Sequence, residues 1–230
     1  MRGFLTILIC TLCQITFGQL GIILDNEGYV NVRKSPEVSN NVIDTLKNGQ
    51  VVFCFEEEGE WRPIDYDLST ENKNGYVHKS RIKLIENFDK IPQSIITDST
   101  IEFKKDSIKI EVSKTKFIPK NNNLQYHKEN ISKNEIGWLE KINGKEIWGT
   151  DGNIPKNQYG KFELTLGKDK FHLPIENLYE PNLDFTTVNF DSTNRTIYIS
   201  ALNSDGAGAY EVLWIIENGK FKQRITTIPF

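Results

Sequence analysis

Two short loops in the C-terminal half, Gly149-Thr-Asp-Gly152 and Asn203-Ser-Asp-Gly-Ala-Gly208, each set an aspartate beside glycine. Glycine lets a backbone come close to a ligand, and a carboxylate accepts from a sugar hydroxyl or ligates a cation. Asp151 and Asp205 are therefore candidate ligand-binding residues. Asp-Gly is also what tight turns use, so the pattern has a purely structural reading as well. The second loop is longer and richer in glycine than a hairpin needs, which makes it the first choice for a site. Neither loop has the oxygen density of an EF-hand, and no Lys-Ser/Thr pair opening a helix follows to cradle a phosphate.

In the N-terminal half, Tyr29, Trp61, Tyr66 and Tyr76 supply aromatic faces of the kind that stack on sugars or grip short peptides. Arg33 adds a guanidinium suited to a carboxylate. A small domain also needs such rings for its core, and the composition alone does not separate the two uses. The reactive groups are sparse. His78, His127 and His172 show no HExxH or similar spacing, so no metal site is expected. Cys54 lies in the strand-like Val51-Val-Phe-Cys-Phe55 and reads as a small buried hydrophobe. The acidic run Glu56-Glu-Glu58 beside it has the wrong sign to activate a thiolate. No cysteine follows Cys54, so a thiol–imidazole pair cannot form in the C-terminal half. The expectation is a protein without catalytic residues or cofactor that binds something; a hydrolase or hydrolase inhibitor acting through the Asp205 loop is the alternative.

Short alternating stretches separated by turn signals must position these residues. Tyr29-Val-Asn-Val-Arg33, Val42 to Leu46, Val51 to Phe55, Glu60-Trp-Arg-Pro-Ile64 and Gly75-Tyr-Val-His78 read as strands. Further on, Ser107-Ile-Lys-Ile-Glu-Val112 alternates cleanly. Asn143-Gly144 and Gly167-Lys-Asp169 mark hairpins. From Phe185 a four-strand meander follows, in which Val212, Trp214 and Ile216 share one face and Leu213 and Ile215 the other. A strand apolar on both faces belongs at the centre of a sheet. The fold class expected is all-β, with one short helical turn at Ile175 to Tyr179.

Gly28-Tyr-Val-Asn-Val-Arg33, Val42-Ile-Asp-Thr-Leu-Lys-Asn-Gly49, Trp61 and Gly75-Tyr-Val-His-Lys-Ser80, in this order, resemble the bacterial SH3-like (SH3b) domain. The resemblance implies a small β-barrel that serves as a binding module in exported proteins. Cell-wall fragments or an envelope protein are the partners it implies. The stretch Asp65 to Asn74 departs from the family pattern by its length and polarity, which puts the usual ligand groove in question. The expected organisation is a signal peptide at 1–18, an SH3-like barrel at 19–86, a linker at 87–106 and a larger antiparallel β domain at 107–230.

Arg2, the apolar run Phe4 to Leu12, and Thr16 and Gly18 before Gln19 carry the signal-peptide reading. The run is too short for a membrane span, so none is expected after cleavage. A lipoprotein is the rival reading, because Cys10 and Cys13 lie there, though each follows a large side chain. The 230 residues are 38% hydrophobic and 26% charged, with a net charge of −3. Lys and Glu are interspersed, so nucleic acid is excluded as the leading partner. The expected location is periplasmic or extracellular.

Overall fold

The structure is a computed structural model, and it describes residues 19–68, 71–127 and 137–228. The expected signal peptide at 1–18 lies outside the described residues. Among the described residues the regular elements are strands joined by turns and short 3-10 segments. The N-terminal strands are β1 (Gln19–Ile23), β2 (Tyr29–Arg33), β3 (Val42–Lys47), β4 (Val51–Cys54), β5 (Trp61–Tyr66), β6 (Lys73–His78) and β7 (Ile82–Leu84). They form one antiparallel sheet in the order β3-β2-β6-β5-β4-β1-β7. Leu46 at one edge packs into the same core as Val30, Val32, Val52, Ile64 and Val77, and Ile82 and Leu84 of the other edge pack against it. Both edges thus feed one core, so the sheet is rolled into a barrel.

The second set comprises β8 (Asp89–Lys90), β9 (Gln93–Ile96), β10 (Thr100–Lys105), β11 (Ile108–Lys116), β12 (Leu124–Tyr126), β13 (Leu139–Ile142) and β14 (Lys145–Glu146). It continues with β15 (Asn157–Leu166), β16 (Asp169–His172), β17 (Thr186–Asp191), β18 (Thr196–Asn203), β19 (Tyr210–Glu217) and β20 (Lys220–Thr227). Two five-stranded sheets, β16-β15-β11-β10-β9 and β20-β19-β18-β17-β8, face each other. Ile101, Phe103, Ile110, Phe162 and Leu164 of the first meet Val188, Ile199, Val212 and Trp214 of the second. This is a β-sandwich, with the small sheet β12-β13-β14 beside it. Phe162 and Trp214 make an edge-to-face pair with centroids 4.5 Å apart, and Trp214 Nε1 donates to Pro174 O at 2.7 Å. The Asn143-Gly144 hairpin forms with both residues at positive φ, 54° and 78°, which is what a type I′ turn demands.

Residues 87–106, expected as a linker, are built into both sheets of the sandwich. β8 joins the edge of one by pairing with β17, while β9 and β10 extend the other through β11. Ile91, Ile101 and Phe103 are fully buried. Thr97-Asp-Ser-Thr100 forms the β9–β10 turn, where Thr97 N donates to Thr100 O at 2.8 Å. Ile175 to Tyr179, expected as a helical turn, is a plain turn leading into single bridges at Leu178 and Tyr179.

β19 is apolar on both faces for a reason the sequence pattern does not specify. Val212, Trp214 and Ile216 enter the sandwich core, whereas Leu213 and Ile215 point the other way and meet the barrel. There they join Tyr198 and Ile225 in a cluster with Leu20, Ile22, Val51 and Phe53 of β1 and β4, plus Ile85 and Phe88 of the connection. β4 is the matching element. Val52 and Cys54 face the barrel core, while Val51 and Phe53 face the sandwich. Asn189 Nδ2 seals one margin by donating to Phe88 O at 3.1 Å. Glu211 lies on the same barrel-facing side of β19 by strand alternation, and burial pushes its carboxyl up to about 7.

The outer face of the β9–β16 sheet is charged. Glu111 stands directly opposite both Glu102 and Glu163, a pairing that repels. Lysines placed diagonally offset it: Lys109 bridges Glu102 and Glu111, Lys161 lies 3.0 Å from Glu111 and 3.2 Å from Glu163, and Lys170 lies 3.1 Å from Glu163.

Candidate functional sites

Two concave regions contain sequence-predicted residues, one on each unit. On the barrel, alternation along β2, β5 and β6 sends Val30, Val32, Ile64 and Val77 inward and leaves Tyr29, Arg33, Trp61, Tyr76 and His78 on the outer wall. A groove of about 270 Å³ runs along this wall, lined by Tyr29, Arg33, Val38, Trp61, His78 and Arg81, among others. The guanidinium of Arg33 lies over the Trp61 ring at 5.7 Å. His78 meets the same ring edge-on at 5.6 Å. Arg33 Nη1 donates to Ser39 O at 2.8 Å and to Asn41 Oδ1 at 2.9 Å, so the 34–41 loop holds the side chain in place. At the far end Arg81 pairs with the buried carboxylate of Asp25. Tyr76 sits across the strand pair from Arg33 and Pro63, outside the groove's lining, with its hydroxyl 3.5 Å from Glu58 Oε1.

Tyr66 does not belong to this wall. It follows the inward register of Ile64, is 3% exposed, and packs in the barrel core. Burial raises its phenol, and the neighbouring Asp44 carboxylate raises it further. Cys54 is also core, with its thiol pushed up to about 12 by burial, which leaves it without thiolate character at neutral pH. The described residues of the connection after β5 lie away from the groove. Leu68 packs against the barrel–sandwich cluster, and Lys73 closes the loop's base on Asp67 at 2.9 Å.

The second concavity brings the two Asp-Gly loops together. A cleft of about 440 Å³ is lined by Asp151 and Asp205, with Thr150, Ile154, Lys156 and Pro181 among the other walls. Gly208 explains the closeness of the loops: a Cβ there would lie 3.2 Å from the Thr150 carbonyl carbon and 3.3 Å from Asp151 N. Gly149, at φ +100°, lies so close to Tyr179 O that a Cβ would be 2.2 Å away. Ser204, at φ 60°, donates through Oγ to Gly149 O at 2.9 Å.

Two residues that build this cleft, Glu180 and Asn203, were given no role in the sequence reading. Glu180 accepts from the backbone of Lys156 and Asn157 and from Asn157 Nδ2, and its carbonyl accepts from Ser204 N at 3.0 Å. Asn203 is fully buried, accepts from Asn182 N at 2.9 Å, and bonds the Tyr159 hydroxyl. No motif announces them, because their partners are 21 to 44 residues away in sequence. The imidazoles lie apart from one another: His78 on the barrel, His127 stacked on Trp138, and His172 on β16. Among the described residues, no group of three or more His, Cys, Asp or Glu is disposed to hold a metal ion. No helix among them is long and apolar enough to cross a membrane.

The rolled barrel and its outer groove define the first unit as an SH3-like module. Residues 28–83 match the family model of the bacterial SH3 domain. No curated protein and no solved structure matches the chain.

Proposed function

We propose that this is an exported, non-enzymatic binding protein that recognises cell-wall fragments through the barrel groove. The observation that carries this reading is the groove itself. Trp61 is flanked by Arg33 and His78 on the surface of a bacterial SH3 domain, a family whose role is binding and often concerns the cell wall. A short peptide suits its chemistry: the Trp61 and Tyr29 rings and Val38 meet apolar side chains, and the free Arg33 donors meet a carboxylate. An exposed segment of an envelope protein offers the same groups, which makes that the runner-up partner.

Titration of the protein with soluble stem-peptide fragments of peptidoglycan tests the reading. Saturable binding is expected, weakened about tenfold or more by Trp61→Ala. Absence of binding, or equal binding by the Trp61→Ala protein, overturns it. Peptide-independent capture of one envelope protein, lost in the same variant, moves the assignment to the runner-up.

A further inference from the structure

The cleft on the sandwich has features of its own that point to a ligand. Asp151 and Asp205 line it, and their carboxylates make no hydrogen bond or ion pair within the described chain. The hydroxyl of Thr150, which lines the same cleft, is shut off from bulk solvent and has no hydrogen-bond partner. Orphaned buried hydroxyls are uncommon and cost stability unless something completes them. Beside the cleft stands Trp138, 55% exposed, an unusual placement for the largest apolar side chain. His127 stacks on one face of its indole at 4.1 Å and 11°. Gly152, the residue after Asp151, presses against it: a Cβ at Gly152 would lie 2.6 Å from Trp138 Cβ. The backbone tie from Leu139 N to Gly152 O at 2.7 Å fixes the ring next to the Asp151 loop.

The charges decide the ligand class. Lys114 and Lys156 line the cleft together with Asp151, Asp205 and Glu180. Two ammonium groups disfavour a metal cation, and three carboxylates disfavour a phosphate or other anion. What remains is a neutral ligand rich in hydroxyls, with a C–H face to lay on an indole. Hydroxyls donate to Asp151 and Asp205 and can both donate to and accept from Thr150 Oγ1. The cleft's size is within the range of small-ligand sites, roughly 300–1,000 Å³. We infer that this cleft binds a neutral oligosaccharide, with Asp151, Asp205 and Thr150 taking its hydroxyls and Trp138 stacking on a sugar ring. The inference does not depend on the barrel groove.

An array of defined neutral and charged oligosaccharides, probed with the full-length protein, tests it, followed by calorimetry on the strongest ligand. Binding to at least one neutral oligosaccharide is expected, with affinity insensitive to salt. Trp138→Ala should weaken it about tenfold or more. Asp151→Asn and Asp205→Asn, both exposed substitutions that leave the packing intact, should each weaken it several-fold, whereas Trp61→Ala in the barrel should not change it. Absence of any bound neutral oligosaccharide overturns the inference. So does binding that survives both Trp138→Ala and Asp151→Asn, or binding that falls only in Trp61→Ala, which would place the sugar in the groove.

Discussion

Leu213→Ala tests whether barrel and sandwich behave as one cooperative unit. Leu213 is fully buried on β19, on the side turned to the barrel. Truncating a buried leucine costs about 2–5 kcal/mol, the lost transfer energy plus the cavity left behind. Little collapse is available here, because rigid β-sheet walls from both units surround the site, so about 3 kcal/mol is expected. For a chain of this size each kcal/mol lowers Tm by about 2–4 °C, which gives a fall of about 6–12 °C. Calorimetry should show a single transition that moves as a whole. Hydrogen exchange should then speed up on both sides of the interface, including the β1 and β4 amides in the barrel, although the substitution lies in the sandwich. Faster exchange confined to β17–β20, with the barrel amides unchanged or a second unshifted transition, would refute the coupling.

Glu211 predicts a pH dependence. Its native pKa, pushed up to about 7 by burial, exceeds the ordinary carboxylate value, so the folded state holds a proton that the unfolded state releases between those limits. Stability from this group is complete below the ordinary value and is lost as pH rises through about 7. Glu211→Gln should therefore raise the unfolding free energy from urea titration at pH 8, by up to about 3 kcal/mol, and do far less at pH 5; equal effects at both pH values refute it. Gly149→Ala should destabilise by about 2–4 kcal/mol, because it combines positive φ with a backbone clash, while Gly144→Ala, which meets only open space, should cost about 1 kcal/mol. Equal losses in thermal melts would show that the Gly149 contact is not tight.

Much of the fold was legible because local pattern and tertiary role agree. The meander from β17 to β20 and the Asn143-Gly144 hairpin carry their period and their turn residues in the chain. The linker misreading has a definite cause. In β10 only Ile101 and Phe103 mark the buried face, and Glu102 and Lys104, which alternate with them, belong to the charged outer surface, so the segment looks solvated. Tyr66 was misplaced because an aromatic's chemistry does not reveal which way a strand turns it; the register with Ile64 does. The Asp151 and Asp205 loops were visible as motifs, but their meeting was not. It depends on Gly208 packing against the Thr150-Asp151 backbone, a contact between segments more than 50 residues apart.

The wall that β1 and β4 turn to the sandwich limits how far this module can travel. Family-level boundaries of 28–83 omit β1 altogether, yet that strand lies between β4 and β7 and joins them. Excised at those limits, the barrel would lose an internal strand and bare Val51 and Phe53 to water. A transplant into another host would need both the missing strand and a new greasy partner, so this copy has become specific to its own neighbour. The outer groove lies on the side left free, where sequence change can proceed without unseating the two halves.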